Sequence, residues 1–416
     1  MQAAALPSDV SASPPLAPAP SYWSAVWRRL RKNQLALFGL YAVAGLVSLA
    51  TIAPVIALNQ PFYWNPGDGP QFPWFRGLFN RLLFESTVDL FFNLGLVLAP
   101  CVLLAWLVLG RALAVPRGRF SAVALLLFLG LFGVLSIENI GSLKNPFYFT
   151  ERVSNYRVEQ ARLVAEGKPV SAWFPLSPYS YRETNPSESL EGPSTRHWIG
   201  TDTEGRDVFS RMLYGTRISL TIGVVAVMIY VSIGVVLGAL AGYFGGRVDN
   251  LISRLIEVVI TFPTFFLILT LAALVPQRSI FHVMVIIGVT SWTGVARLIR
   301  AEFLRQKSLD YVQAALALGL DSRRVIFRHI LPNAIAPALV SATFGIASAI
   351  LTESSLSFLG VGDTSVASWG ETLNTGRLTQ KLWLVLAPGC AIFFVVTVFN
   401  LVGEGVRDAL DPKLRA

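Results

Sequence analysis

Apolar residues gather in this chain into long runs almost free of charge, instead of alternating with polar ones. A helix rising 1.5 Å per residue needs roughly 20 apolar residues to cross the hydrocarbon core of a bilayer. Eight runs meet that length and are predicted as spans, at about 34–58, 88–110, 119–138, 218–243, 252–275, 281–299, 334–358 and 383–404. Pro100, Pro263 and Pro388 fall inside three of them, where a missing N–H and a ring clash interrupt a helix. The 88–110 and 119–138 runs are read as a spanning hairpin, because the turn between them carries Arg111, Arg117 and Arg119, which are costly to leave in lipid. Gly234, Gly238 and Gly242 recur every fourth residue, a face of small side chains suited to close helix packing.

Composition agrees. Of 416 residues, 53% are hydrophobic and 14% charged, and a mean hydropathy of +0.56 sets the chain apart from water-soluble domains. The net charge of +9 does not point to nucleic acid, because the basic clusters all fall on one side of the spans. With the amino terminus inside, that side holds Arg28, Arg29, Arg31 and Lys32, the triple-Arg turn, Arg247, the Arg297–Arg328 stretch and the tail from Arg407. This is the positive-inside bias, and it leaves the charge-balanced segment 139–217 outside. Residues 1–20, rich in Ala, Pro and Ser, read as a disordered tail. The aromatic and basic stretch 23–33 reads as a short helix on an anionic lipid surface. A signal peptide, whose charged region would be much shorter and which a small-residue cleavage site should follow, is the rival, but the run 34–58 is of spanning length.

Several chemistries lack their residues. Cys101 and Cys390 sit inside apolar runs as packing residues, and His197, His282 and His329 are too scattered for a metal pair. No Gly-x-x-x-x-Gly-Lys-Ser/Thr phosphate loop occurs, so the chain binds no cofactor itself and any ATP is hydrolysed elsewhere. Arg254 and Glu257 are three apart and pair on a helix face. Asp202, Arg206 and Asp207 read first as a turn or lid paired within itself, and second as a meeting place for the charged ends of a solute. Glu353 falls near the outer end of its span, as a candidate for a translocation path or gate or as a packing group.

The inside stretch 300–332 is longer than the other inside turns and reads as two short helices with an elbow. Asp310 through Gln313 has the form of a capping box that starts the first. Leu309, Val312, Leu316 and Leu320 recur at helical spacing, and Gly319 supplies the left-handed residue that ends it. Asp321 and Ser322 cap the second helix, and Leu331-Pro332 leads into the next span. An apolar stripe with small residues between suits insertion into a groove on a partner protein.

Gln313-Ala314-Ala315, then Gly319, then Leu331-Pro332 resembles the EAA loop of ABC importer permeases. Gln313 stands where the pattern has Glu, and His329 where many members have an aliphatic residue. The stretch from His197 to Leu220 and the ending Gly403-Glu-Gly-Val-Arg-Asp-Ala-Leu-Asp-Pro412 are similar to dipeptide and oligopeptide permeases of the C-subunit type. The resemblance covers about 22–58 and 195–416.

It implies an all-α polytopic protein of the bacterial inner membrane: a six-span type I importer core plus an inserted two-helix hairpin at 88–138. The implied order is a tail and surface helix (1–33), a first span (34–58), outer segments holding the hairpin (59–217), a core (218–404) carrying the 300–332 loop, and an inside tail (405–416). It further implies a heterodimer with a second permease, two separate ATP-binding subunits gripping the Asp310–Pro332 loop, and an extracytoplasmic solute-binding protein. The expected cargo is peptide. An ion-gradient-driven transporter, or a permease for nickel or another non-peptide solute, is the alternative.

Overall fold

The computed structural model describes residues 22–112, 117–140, 143–145, 149–150, 154–276 and 278–410. The expected tails at 1–20 and beyond Leu410, and the centre of the 111–119 turn, lie outside these residues. The chain is helical throughout its apolar runs. A short surface helix α1 (Tyr22–Leu30) precedes α2 (Gln34–Ile56), which Asn33 caps by accepting from the Ala36 amide at 3.1 Å. After β1 (Tyr63–Asn65) and α3 (Pro73–Gly77) come the hairpin helices α4 (Thr87–Ala112) and α5 (Arg117–Ser136). The short pair β2 (Asn139–Ile140) and β3 (Leu143–Lys144), α6 (Tyr156–Ala165) and β4 (Ser171–Trp173) follow, with β4 antiparallel to β1 so that Trp64 faces Ala172.

The core begins with α7 (Val208–Phe244), then α8 (Gly246–Ile260), α9 (Thr264–Leu274), α10 (Ile280–Thr290) and α11 (Thr293–Lys307). The loop that follows contains α12 (Asp310–Ala317), α13 (Ser322–Arg324), a π-helical turn at Val325–Ile330, and α14 (Leu331–Ala334). Helices α15 (Ala336–Phe358), α16 (Trp369–Thr379) and α17 (Leu382–Leu410) complete the bundle.

Six stretches among the described residues are long and apolar enough to cross a membrane: Gln34–Ile56, Thr87–Leu107, Val208–Phe244, Ile280–Lys307, Ala336–Phe358 and Leu382–Leu410. The expected straight span at 252–275 is instead α8 and α9, bent by 79°. Pro263 caps α9 and has no N–H to continue α8. Counted as one broken span, the pair is the seventh. The expected eighth, α5, has an apolar stretch of only Phe120–Ser136, shorter than the other spans. Pro100 and Pro388 lie within continuous α4 and α17. Helix α7 starts ten residues earlier than its apolar run, because a buried polar turn at Val208–Arg217 extends it.

Packing centres on α7. Its Gly234, Gly238 and Gly242 lie against α11, as their spacing predicts: a Cβ on Gly238 would stand 2.5 Å from the Ala296 carbonyl oxygen. The hairpin helices hold each other through Phe91 against Phe128 and Phe132, at centroid distances of 5.1 and 5.7 Å, and through buried Leu90, Leu94 and Leu135. Cys101 and Cys390 are exposed on the bundle surface, so neither fills the core as expected. Their apolar runs present them outward, where lipid supplies the solvent. Arg254 and Glu257 do pair, at 2.6 Å on an exposed face.

Candidate functional site

Helix α12 projects from the basic end of the bundle and is fixed on three sides. Val312 and Ala315 point inward and join Ile299 and Phe303 of α11, Tyr243 of α7, and Val325 and Ile330 of the π turn in one buried cluster. The helix ends as Gly319 requires. With φ at +74°, its amide bonds the Leu316 carbonyl at 2.9 Å while the Leu320 amide bonds that of Ala315 at 3.2 Å, the paired bonds of a Schellman cap. Asp321 caps the next turn, accepting from the Arg323 amide at 3.2 Å. The Tyr311 hydroxyl donates to Gln306 at 2.6 Å, and the Lys307 ammonium donates to the Tyr243 carbonyl at 2.7 Å, so loop and spans are tied together.

The start of α12 departs from the expected capping box. Leu309, extended at φ −80°, is the N-cap and makes no side-chain bond, which places Asp310 inside the first turn. There its carboxylate favours the helix through the positive end of the dipole. Gln313 does not reach the N-cap amide; its Nε2 donates to the Lys307 carbonyl at 2.8 Å. The neutral side chain thus roots α12 to the end of α11. Pro332 lies in α14, and the π turn before it closes with the Leu331 amide on the Ile326 carbonyl. Ala314 and His329 flank the outward face.

Two exposed apolar residues stand out on the loop: Leu318 belongs to the apolar stripe read from the sequence, and Phe327 escaped that reading. Leu318 is 81% exposed and Phe327, in the π turn, 67% exposed. Leu318 sits at the C-cap of α12. Its place in the apolar stripe running from Ala314 to Leu320 was the available signal.

At the opposite end, Arg206 pairs with Asp202 as the reading of a self-paired turn expected, while the Asp207 side chain turns to other partners. Arg206 Nε lies 2.7 Å from Asp202 Oδ2, and the Glu204 and Arg206 amides donate to Asp202 Oδ1 at 2.9 and 3.0 Å. Asp207 caps α7, accepting from the Ser210 amide at 2.8 Å, and His197 Nδ1 lies 2.9 Å from its other oxygen. Sequence reasoning missed Arg211 and Glu371. Arg211 bonds Glu371 of α16 and lies 3.5 Å from Asp202, which clasps the turn to the helix between α15 and α17. Each of these charged groups thus has a partner within the turn and α16.

Glu353 is buried and accepts from the Ser357 hydroxyl at 2.8 Å and the Ser354 hydroxyl at 3.5 Å. It is packed inside the bundle, and both of these hydroxyls belong to its own helix. The open polar face of α15 lies one turn away. A cavity of about 290 Å³ between α7, α10, α11 and α15 is bordered by Tyr230, Ser291, Ser341, Phe344, Ser348 and Thr352. No charged side chain lines it among the described residues.

An apolar bundle with a capped, outward helix at its basic end is the architecture of a transport subunit. Residues 234–416 match the family of binding-protein-dependent transport system inner membrane components. Residues 21–72 match the N-terminal transmembrane domain of oligopeptide transport permease C. The chain is 41% identical over 244 residues to the dipeptide transport system permease protein DppC of Alkalihalophilus pseudofirmus, covering 58% of this chain and 80% of that one. It is 39% identical over 243 residues to the oligopeptide transport system permease protein OppC of Bacillus subtilis, covering 58% and 79%. The glutathione transport system permease protein GsiD of Pectobacterium atrosepticum is 41% identical over 229 residues, covering 54% and 76%. The chain belongs to this family of ABC importer permeases: a multi-pass membrane subunit that transports and is not an enzyme.

Proposed function

We propose that this permease carries peptides inward, with both termini and the α12 loop on the cytoplasmic side, and that α12 is the joint gripped by a separate ATP-hydrolysing subunit. The observation that carries the reading is a pair of exposed apolar side chains, Leu318 at the C-cap of α12 and Phe327 in the π turn, on a loop whose inner face is locked to α7 and α11. A rigid element rooted in two spans transmits a partner's closure, whereas a flexible loop would absorb it. The basic residues near α1, α8 and α11 support the orientation. The names of the relatives support peptide as cargo. A second permease chain, two ATP-binding subunits and an extracytoplasmic binding protein complete the assembly, and this chain contacts ATP only through them.

The hydroxyl-lined cavity is this chain's share of the path. Ser348 sits midway along α15 and is exposed, where a polar face is disfavoured against lipid and favoured against a partner or water. Neutral hydroxyls suit peptide backbone amides and are indifferent to side-chain charge. In a Cys101→Ser/Cys390→Ser background, Ser348→Cys and Thr352→Cys are expected to react with a membrane-impermeant thiol reagent, and peptide added with the binding protein should slow the reaction. Leu126→Cys, exposed on the hairpin, should stay unreactive. Equal silence at all three positions would remove α15 from the path.

A further inference from the structure

Arg217 is fully buried in α7, a position that is tolerable only if its charge and its donors are all answered. Its donors are answered by two other parts of the chain, α2 and α4. Pro54 has no N–H, so the Ala50 carbonyl of α2 lacks its helical donor. Arg217 Nε fills that gap at 2.7 Å, and Nη2 reaches the Thr51 carbonyl at 3.5 Å. Its charge is met by Asp89 in the first turn of α4, with Nη1 3.0 Å from Oδ1. This is the one ion pair Arg217 makes among the described residues. The second carboxylate oxygen accepts from the Tyr181 hydroxyl at 2.8 Å. The faces of Tyr214 and Phe92 close the guanidinium in, with centroids at 4.9 and 5.4 Å.

Asp89 belongs to the hairpin, in the stretch between the two segments that match the family (21–72 and 234–416). A partner-binding insert would need only to be attached. This one supplies a counter-charge to the core helix. Tyr181, which lies outside the spans, has its hydroxyl held protonated: burial, and then the nearby Asp89 charge, push its pKa well above the ordinary phenol value. It therefore remains a donor across the working pH range.

We infer that the inserted hairpin serves the permease's own fold: Asp89 is a positioning residue that seats Arg217 in the Pro54 gap, fastening α2, α4, α7 and the segment around Tyr181 into one body. The hairpin then moves with α2 and α7 during transport, whichever solute is carried.

The test uses the full chain with its co-purifying subunits and reads two quantities, the yield of monodisperse assembled complex and its thermal midpoint. Asp89→Ala is expected to cut the yield about tenfold or more, since one buried charge is left unpaired. Asp89→Glu, which keeps the carboxylate, should retain most of it. Adding Arg217→Gln to Asp89→Ala should restore yield to within about threefold of wild type, because the unpaired charge is gone and an amide still reaches the Ala50 carbonyl. A merely space-filling role would show no such rescue. The inference is overturned if Asp89→Ala behaves as wild type, if Asp89→Glu is as damaging as Asp89→Ala, or if the double variant is as poor as the product of the two singles.

Discussion

Leu318→Asp is expected to abolish ATP-driven uptake, lowering it about thirtyfold or more, while the chain still inserts and folds. Leu318 lies 81% exposed at the end of α12, so the substitution touches no core and creates no cavity. Its cost falls on the partner surface alone. A central apolar anchor contributes about 2 kcal/mol or more to an interface, and a carboxylate placed in an apolar groove adds a desolvation penalty. Phe327→Asp should act in the same direction. The measurement is retention of the ATPase subunits on the purified permease alongside ATP-driven uptake. A variant that keeps both would move the docking face elsewhere.

Gly238→Leu is expected to destabilise the bundle strongly. A single added methyl would stand 2.5 Å from the Ala296 carbonyl oxygen and 2.9 Å from the Ile299 Cβ, and the backbone of α11 cannot yield without parting from α7. Overpacking a core with flexible neighbours costs about 1–3 kcal/mol, and here the obstacle is a helix backbone. Loss of folded protein by about tenfold or more is expected, measured as monodisperse yield in detergent. Gly130→Leu, at a site with nothing within 4 Å, is the control and should express normally.

The spans were legible because lipid demands uninterrupted apolar runs, and each of the six long apolar helical stretches overlaps one of those runs. The packing face of α7 was legible too, since the four-residue spacing of Gly234, Gly238 and Gly242 is itself the signal. What failed was local or long-range. The extension of α7 to Val208 was hidden because its polar residues are satisfied by Tyr179, His197 and Glu371, partners that no window of sequence contains. The pairing of Asp89 with Arg217, 128 residues apart, is of the same kind. The capping box at Asp310 failed by one residue, because Leu309 already adopts the extended cap conformation. Pro263 was noted as an interruption, but its bend of 79° depends on the helices packed around it. In the loop, Gly319 and Asp321 were readable from their backbone requirements and Leu318 from the apolar stripe, whereas the outward turn of Phe327 was not: exposure is a property of the fold.

The central claim is that this subunit couples an external ATPase to inward transport through α12. The most direct measurement is uptake of a labelled peptide mixture into proteoliposomes that hold the chain with its co-purifying subunits, comparing wild type with Gly319→Pro. Proline fixes φ near −65°, where Gly319 holds +74°, so the cap that sets α12 against its partner is lost. Uptake that requires ATP in the wild type, and disappears in a variant that still inserts, is the predicted result. Uptake driven by an ion gradient alone, or normal ATP-driven transport by Gly319→Pro, would contradict it.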